Sequence, residues 1–181
     1  MVLDPSSQPR SVCVSYLVPV TPRRMDISIK KAEEKQIKHL QECMYYLMKY
    51  EHEMFDSTSD ILWAKSKDCE NYFRKKIKGR NSIVFVALHD DKIIGYISGE
   101  VKKRVVWKKF KLQGVLSDMV VLRKFRNKSI GSLLVGEFLK WAKGKGIQTI
   151  EVKAYSTNTD AHRFYKRHGF DVHDIILEKI L

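Results

Sequence analysis

Proline disappears from this chain after Pro22: all four prolines (Pro5, Pro9, Pro19 and Pro22) lie within the first 24 residues. A break that sharp separates an expected flexible tail, residues 1–24, from one compact domain over residues 25–181. No stretch approaches the roughly 18 consecutive apolar residues that a membrane-spanning helix needs, so no membrane partner is expected. The run from Val12 to Val20 is too short for an export signal, is broken by Ser15 and Pro19, and has no small-residue cleavage site. Cysteine is scarce. Cys13, Cys43 and Cys69 are odd in number, widely spaced, and form neither a disulfide framework nor zinc-ligand spacing. They read as reduced thiols in a cytoplasmic protein. The histidines are scattered too; His162, His168 and His173 read as surface residues, and no metal site is expected. No internal repeat is present.

What remains is a chain of 181 residues, 44% apolar and 30% charged, which is enough for a real core. Its net charge of +13 suits an anionic partner, whether nucleic acid, a phosphate-rich cofactor or an acidic substrate, or simply a lysine-rich solvated surface.

The hydrophobic period alternates along the chain. A strand-like run begins at Met25. Ile37, Leu40, Met44, Leu47 and Met48 mark an amphipathic helix over 33–55, and a second helix covers about 62–78. Strands follow at 82–88, 92–102 and 112–122, the first two joined by a turn at His89–Lys92. A helix over 130–142 ends at Gly144 and Gly146. A strand at 148–154, a helix at 158–167 and a last strand at 170–180 complete the order β-α-α-β-β-β-α-β-α-β, an α/β fold with a mixed sheet.

The segment between the fourth strand and the third helix carries the chemistry. Arg123, Lys124, Arg126 and Lys128 fall within six positions, and the small residues Ser129, Gly131 and Ser132 follow at the helix start. A helix N-terminus offers unpaired N–H groups and the positive end of a dipole, and small residues let a ligand approach it. These are the ingredients of a phosphate cradle; an ordinary helix start with solvated charges has the same residues.

Here the chain resembles the GNAT superfamily of acetyl-coenzyme A-dependent N-acetyltransferases, whose strand–helix junction reads [R/Q]-x-x-G-x-[G/A]. This chain has Arg126-Asn127-Lys128-Ser129-Ile130-Gly131, with Ser129 in place of the first glycine. Downstream, Asn158, Ala161, Phe164, Tyr165, Gly169 and Phe170 fill every fixed position of N-x-x-A-x-x-[F/L]-Y-x-x-x-G-F. The resemblance spans about residues 26–181. It implies a central sheet of six to seven strands, splayed between the fourth and fifth by a bulge and flanked by about four helices.

It also implies a site. Acetyl-CoA would be the cosubstrate, its pyrophosphate on the amides of Arg126, Asn127, Lys128, Ser129, Ile130, Gly131 and Ser132. Its pantetheine arm would lie along Met119, Val120 and Val121. Tyr165 would be the general acid, and Asn158 would orient the cofactor or cap its helix. The acceptor, a small amine or a protein N-terminus or lysine, would attack the thioester directly. Asp118 is the base favoured by the resemblance, with Glu100, Ser117 or ordered water as alternatives; strand alternation would put Ser117 and Asp118 on opposite faces. Dimers are common in the family, so a homodimer is among the expected states.

Basic residues interleaved with aromatics over Lys102–Lys111 could also bind RNA. A solvated hairpin is the favoured reading of that stretch, and nucleic acid is not the expected partner. A non-catalytic acyl-CoA-binding module is the remaining alternative.

Overall fold

The computed structural model describes residues 25–179; the expected tail over 1–24 lies outside the described residues. Strand β1 (Ser28–Lys31) leads through a 3-10 turn into helix α1 (Ile37–Met54). Glu33 and Gln36 cap the entrance reciprocally, with the Glu33 N–H donating to Gln36 Oε1 at 2.9 Å. The helix expected over 62–78 is divided. A 3-10 turn, Ile61–Lys65, precedes Ser66, whose hydroxyl accepts from the Cys69 N–H at 3.2 Å and starts helix α2 (Lys67–Lys78). Asp68 and Glu70 in its first turn and Lys75, Lys76 and Lys78 in its last complement the helix dipole.

A meander follows: β2 (Ser82–His89), β3 (Lys92–Lys103) and β4 (Leu112–Val121). The tight turn between β2 and β3 places Asp90 and Asp91 at positive φ, the geometry a two-residue hairpin demands. Helix α3 (Ile130–Gly144), strand β5 (Ile150–Val152) and helix α4 (Thr159–Arg167) complete the regular elements. The strand order is β1-β2-β3-β4-β5, antiparallel except for the β4–β5 pair. Only that parallel pair needs a crossover, and α3 supplies it.

The sheet separates two cores. Val84, Val86 and Leu88 of β2 face α1 and α2, beside Leu40, Met44 and Phe73. Ile83, Phe85 and Ala87 face the other way, toward Ile130, Leu134 and Phe138 of α3. Strict alternation along one strand thus feeds both layers. Phe164 and Tyr165 of α4 pack against the α3-side core.

The described sheet has five strands, not six or seven. Residues 171–179 form no strand, and Val172, Ile175, Ile176 and Leu177 are exposed. An apolar run permits a strand but does not make one, because a strand needs a ladder partner. The adjacent β5 is only three residues long and offers little edge.

Candidate functional site

The site begins with a register change in β4. Ser98 of β3 pairs with Asp118, whereas the next residue, Gly99, pairs with Leu116. Ser117 is therefore the extra residue of a β-bulge. A bulge lets neighbouring side chains share a face, and here Ser117 and Asp118 both turn toward α2. Lys76 Nζ donates to Ser117 Oγ at 2.9 Å. Asp118 Oδ2 accepts from Tyr72 OH and, at 2.6 Å, from Ser98 Oγ. The expectation of opposite faces fails because it assumed unbroken alternation.

On its other side, β4 pairs with β5 only at Gly114, Val115 and Leu116. Beyond the bulge, the edge of Ser117–Val121 has no strand partner among the described residues, so the sheet splits there. Val120 is buried on the α1 side, while the side chains of Met119 and Val121 lie against the α3-side core. The backbone of these three residues forms the wall of the split.

The wall ends at the basic loop. Arg126 Nε donates to Val121 O at 3.1 Å, and its guanidinium lies 5.3 Å from the Tyr50 ring centroid and 5.9 Å from that of Tyr46. That side chain braces the loop against α1. Asn127 and Ser129 both take left-handed backbone, φ 61° and 60°. For serine this conformation costs on the order of 1 kcal/mol relative to glycine. Ser129 precedes α3 without a side-chain cap, and among the described residues the N–H groups of 127–132 find no backbone acceptor. Asn127, Lys128, Ser129 and Ser132 are exposed, whereas the Ile130 side chain is buried in the core. Only the backbone N–H of Ile130 is therefore on offer. A Cβ at Gly131 would stand 3.1 Å from the Phe164 ring, so this glycine also makes room for α4.

Helix α4 follows β5, the far bank of the split, and packs Phe164 and Tyr165 against the α3-side core. Asn158 Oδ1 accepts from the Ala161 N–H at 3.0 Å, an N-cap. The Tyr165 ring is held edge-on by Phe164 (5.3 Å) and Phe170 (5.6 Å). Burial, and then the charges of Glu51 and Asp118, push the Tyr165 hydroxyl well above the ordinary tyrosine range.

The carboxylates differ sharply. Burial pushes Asp118 up, while hydrogen bonds from Ser98 and Tyr72 and the Lys76 charge work against that rise. Burial works the same way on Glu100. There Lys102 (3.1 Å) and Lys76 (3.4 Å) win and hold the carboxyl below its usual range. Glu51, a residue that sequence reading passed over, sits near the C-terminal end of α1. Its carboxyl is pushed up to about 7 by burial, then by Asp118 and Asp56. The overlooked signal was a carboxylate in the apolar stripe of an amphipathic helix, three residues after Met48 and four after Leu47.

The basic hairpin lies elsewhere. It joins β3 to β4 at the end of β4 opposite the loop, with Val106 and Trp107 exposed. Ten residues of strand, roughly 33 Å, separate the two.

Comparison with known proteins agrees with the fold. The chain is 26% identical over 113 residues to an uncharacterised N-acetyltransferase of Archaeoglobus fulgidus, a match covering 62% of this chain and 76% of that one. Its fold matches a tetramutant of the BH1408 protein from Bacillus halodurans with a TM-score of 0.73 at 19% identity, covering 85% of this chain and 99% of that one. It also matches the aminoglycoside N-acetyltransferase AAC(6')-Iy in complex with CoA, with a TM-score of 0.70 at 15% identity, over 90% of this chain and 99% of that one. The acetyltransferase (GNAT) family model matches residues 35–170, most of the chain, and the protein belongs to that family.

Proposed function

We propose that the protein transfers an acetyl group from acetyl-CoA directly to a primary amine. The observation that carries this reading is the split beside β4, with the uncapped start of α3 after it in the chain and Tyr165 of α4 packed on the α3-side core. The exposed N–H groups of Asn127–Ser132, with Lys124 and Lys128 nearby, suit a diphosphate. The free edge at Met119, Val120 and Val121 suits an extended amide-bearing arm, which would add to the sheet as a peptide strand does. A β4 N–H would polarise the thioester carbonyl.

Direct transfer, without a covalent enzyme intermediate, fits the cysteines that are described. Cys43 is pushed up to about 12 by burial and then by Glu42, and Cys69 to about 12 by burial and then by Asp118. Neither is a thiolate at neutral pH, so neither is a nucleophile. Among the described residues neither forms a disulfide, in keeping with a cytoplasmic protein.

Tyr165 takes the role of hydrogen-bond donor to the departing thiolate. A tyrosine this weakly acidic would not hand its proton outright to a thiolate that reprotonates near 8.5, so the proton moves as the C–S bond breaks. Asn158 caps α4 through Oδ1, which leaves its Nδ2 amide group to orient the cofactor.

The test is a thiol-release screen of the purified protein with acetyl-CoA against polyamines, peptides with a free α-amino group and peptides with lysine alone. Amine-dependent release of CoA thiol, with one acetyl per thiol in the product, is expected. Release with no amine in the panel, despite cofactor binding, would defeat the proposal.

A further inference from the structure

Helix α1 bridges the split. Near its middle, Met44 Sδ receives a hydrogen bond from the Tyr96 hydroxyl of β3 at 3.7 Å. Just past its end, Phe55 stacks on Tyr155, three residues beyond β5, at 5.5 Å and 20°. Asp56 accepts from the same Tyr155 hydroxyl at 3.2 Å. Between these anchors the helix passes from β3, across β4, to the far bank. Seven residues after Met44 and four before Phe55, position 51 shares their helix face. Glu51 is therefore the carboxylate that α1 carries over the gap between β4 and α4.

The other carboxylates nearby are engaged. Asp118 accepts from Tyr72 and Ser98. Asp56 accepts from the Thr58 hydroxyl and N–H as well as from Tyr155. No hydrogen bond from a described residue bears on the Glu51 carboxyl.

We propose that Glu51 is the general base of the acetyl transfer, receiving the proton that the acceptor ammonium must lose before it attacks. The inference rests on the acetyltransferase reading above. Glu51 takes one proton from R–NH3+. The freed amine forms a C–N bond to the acetyl carbon, and the C–S bond breaks with its electron pair on sulfur. Tyr165 gives its proton to that sulfur and recovers one from the new amide nitrogen, and Glu51 then releases its proton to water. The products are the acetamide, CoA thiol and one proton.

The groups around Glu51 tune it. Asp118 from β4 and Asp56 beyond α1 are negative, while His52 beside Asp56 is itself bound to Ser59 O. Tyr155 and Tyr165 are neutral, both pushed upward first by burial and then by Glu51. Burial first, and then the Asp118 and Asp56 charges, place the carboxyl near 7, where a base is both ionised and proton-accepting at physiological pH.

The test compares wild type, Glu51→Gln and Asp118→Asn. It reads pH–rate profiles with acetyl-CoA and the best amine of the screen, and acetyl-CoA affinity by calorimetry. Glu51→Gln should lower kcat by about 100-fold or more, abolish the acid limb near pH 7, and leave acetyl-CoA affinity within a few-fold. Asp118→Asn should keep that limb but shift it to lower pH, because a negative neighbour is gone. The proposal is overturned if Glu51→Gln keeps the limb and its kcat within a few-fold, or if the limb disappears in Asp118→Asn instead. Acetyl-CoA binding without amine-dependent turnover in wild type would mark failure of the acetyltransferase reading itself.

Discussion

The two halves of β4 share one strand and an apolar character but have opposite fates. Gly114–Leu116 is hydrogen-bonded on both sides, to β3 and to β5. Asp118–Val121 keeps only β3. Valine and leucine or methionine occur in both, and only the second half carries polar residues, Ser117 and Asp118. The difference is one inserted residue, Ser117, and the polar side chains that hold it. Lys76, only 5% exposed, reaches from α2 to Ser117, while Tyr72 and Ser98 fasten Asp118 beside it. A bulge secured by a neighbouring helix turns a sheet interior into an edge, and so makes the cleft.

The largest expected effect breaks that contrast at its cause. Lys76→Met removes a buried donor from Ser117 and one of the two lysines at Glu100. It should destabilise the fold by about 2 kcal/mol, the scale for losing a charged hydrogen bond to a partly buried hydroxyl, measured by denaturant titration. A loss under about 0.5 kcal/mol would mean that the bulge holds without it.

Next, Glu51→Gln should stabilise the protein at pH 8 by about 2 kcal/mol after allowance for partial exposure. The folded carboxyl lies near 7, above its ordinary 4.5. Folding therefore takes up a proton between these values, and wild-type stability falls as pH rises through that window. The difference between the variants should vanish below about pH 4.5. A gap independent of pH would contradict the burial of Glu51.

Tyr165→Phe should cost about tenfold in kcat, or about 1.4 kcal/mol, while acetyl-CoA affinity stays within a few-fold. Unchanged turnover would remove the hydroxyl from the reaction. The smallest effect sharpens the comparison at the loop. Ser129→Gly relieves a left-handed serine and should raise stability by about 1 kcal/mol, with Tm as the readout.

Features written in local spacing were legible from sequence. The β2–β3–β4 meander and the basic junction into α3 came from periodicity and residue type, and the Asn158–Phe170 pattern from resemblance to the family. Features set by partners were not. Ser117 looks like any strand residue until the register with Gly99 and Ser98 is known. The run after Phe170 is apolar enough for a strand but has no ladder to join among the described residues. Glu51 was hidden differently. Leu47 and Met48 explained α1 as a core helix, and the carboxylate continuing their face had no meaning until the split beneath it appeared. Asn158 had two local readings, and the bond from the Ala161 N–H to its Oδ1 shows the cap while engaging only one side of the amide.

The central claim is that the unpartnered half of β4 and the uncapped start of α3 together receive a coenzyme thioester. The most direct measurement is a calorimetric titration of the protein with acetyl-CoA at low and raised salt. The account predicts saturable one-to-one uptake that weakens as salt screens the basic loop. No uptake at millimolar acetyl-CoA, with the protein shown to be folded, would contradict it.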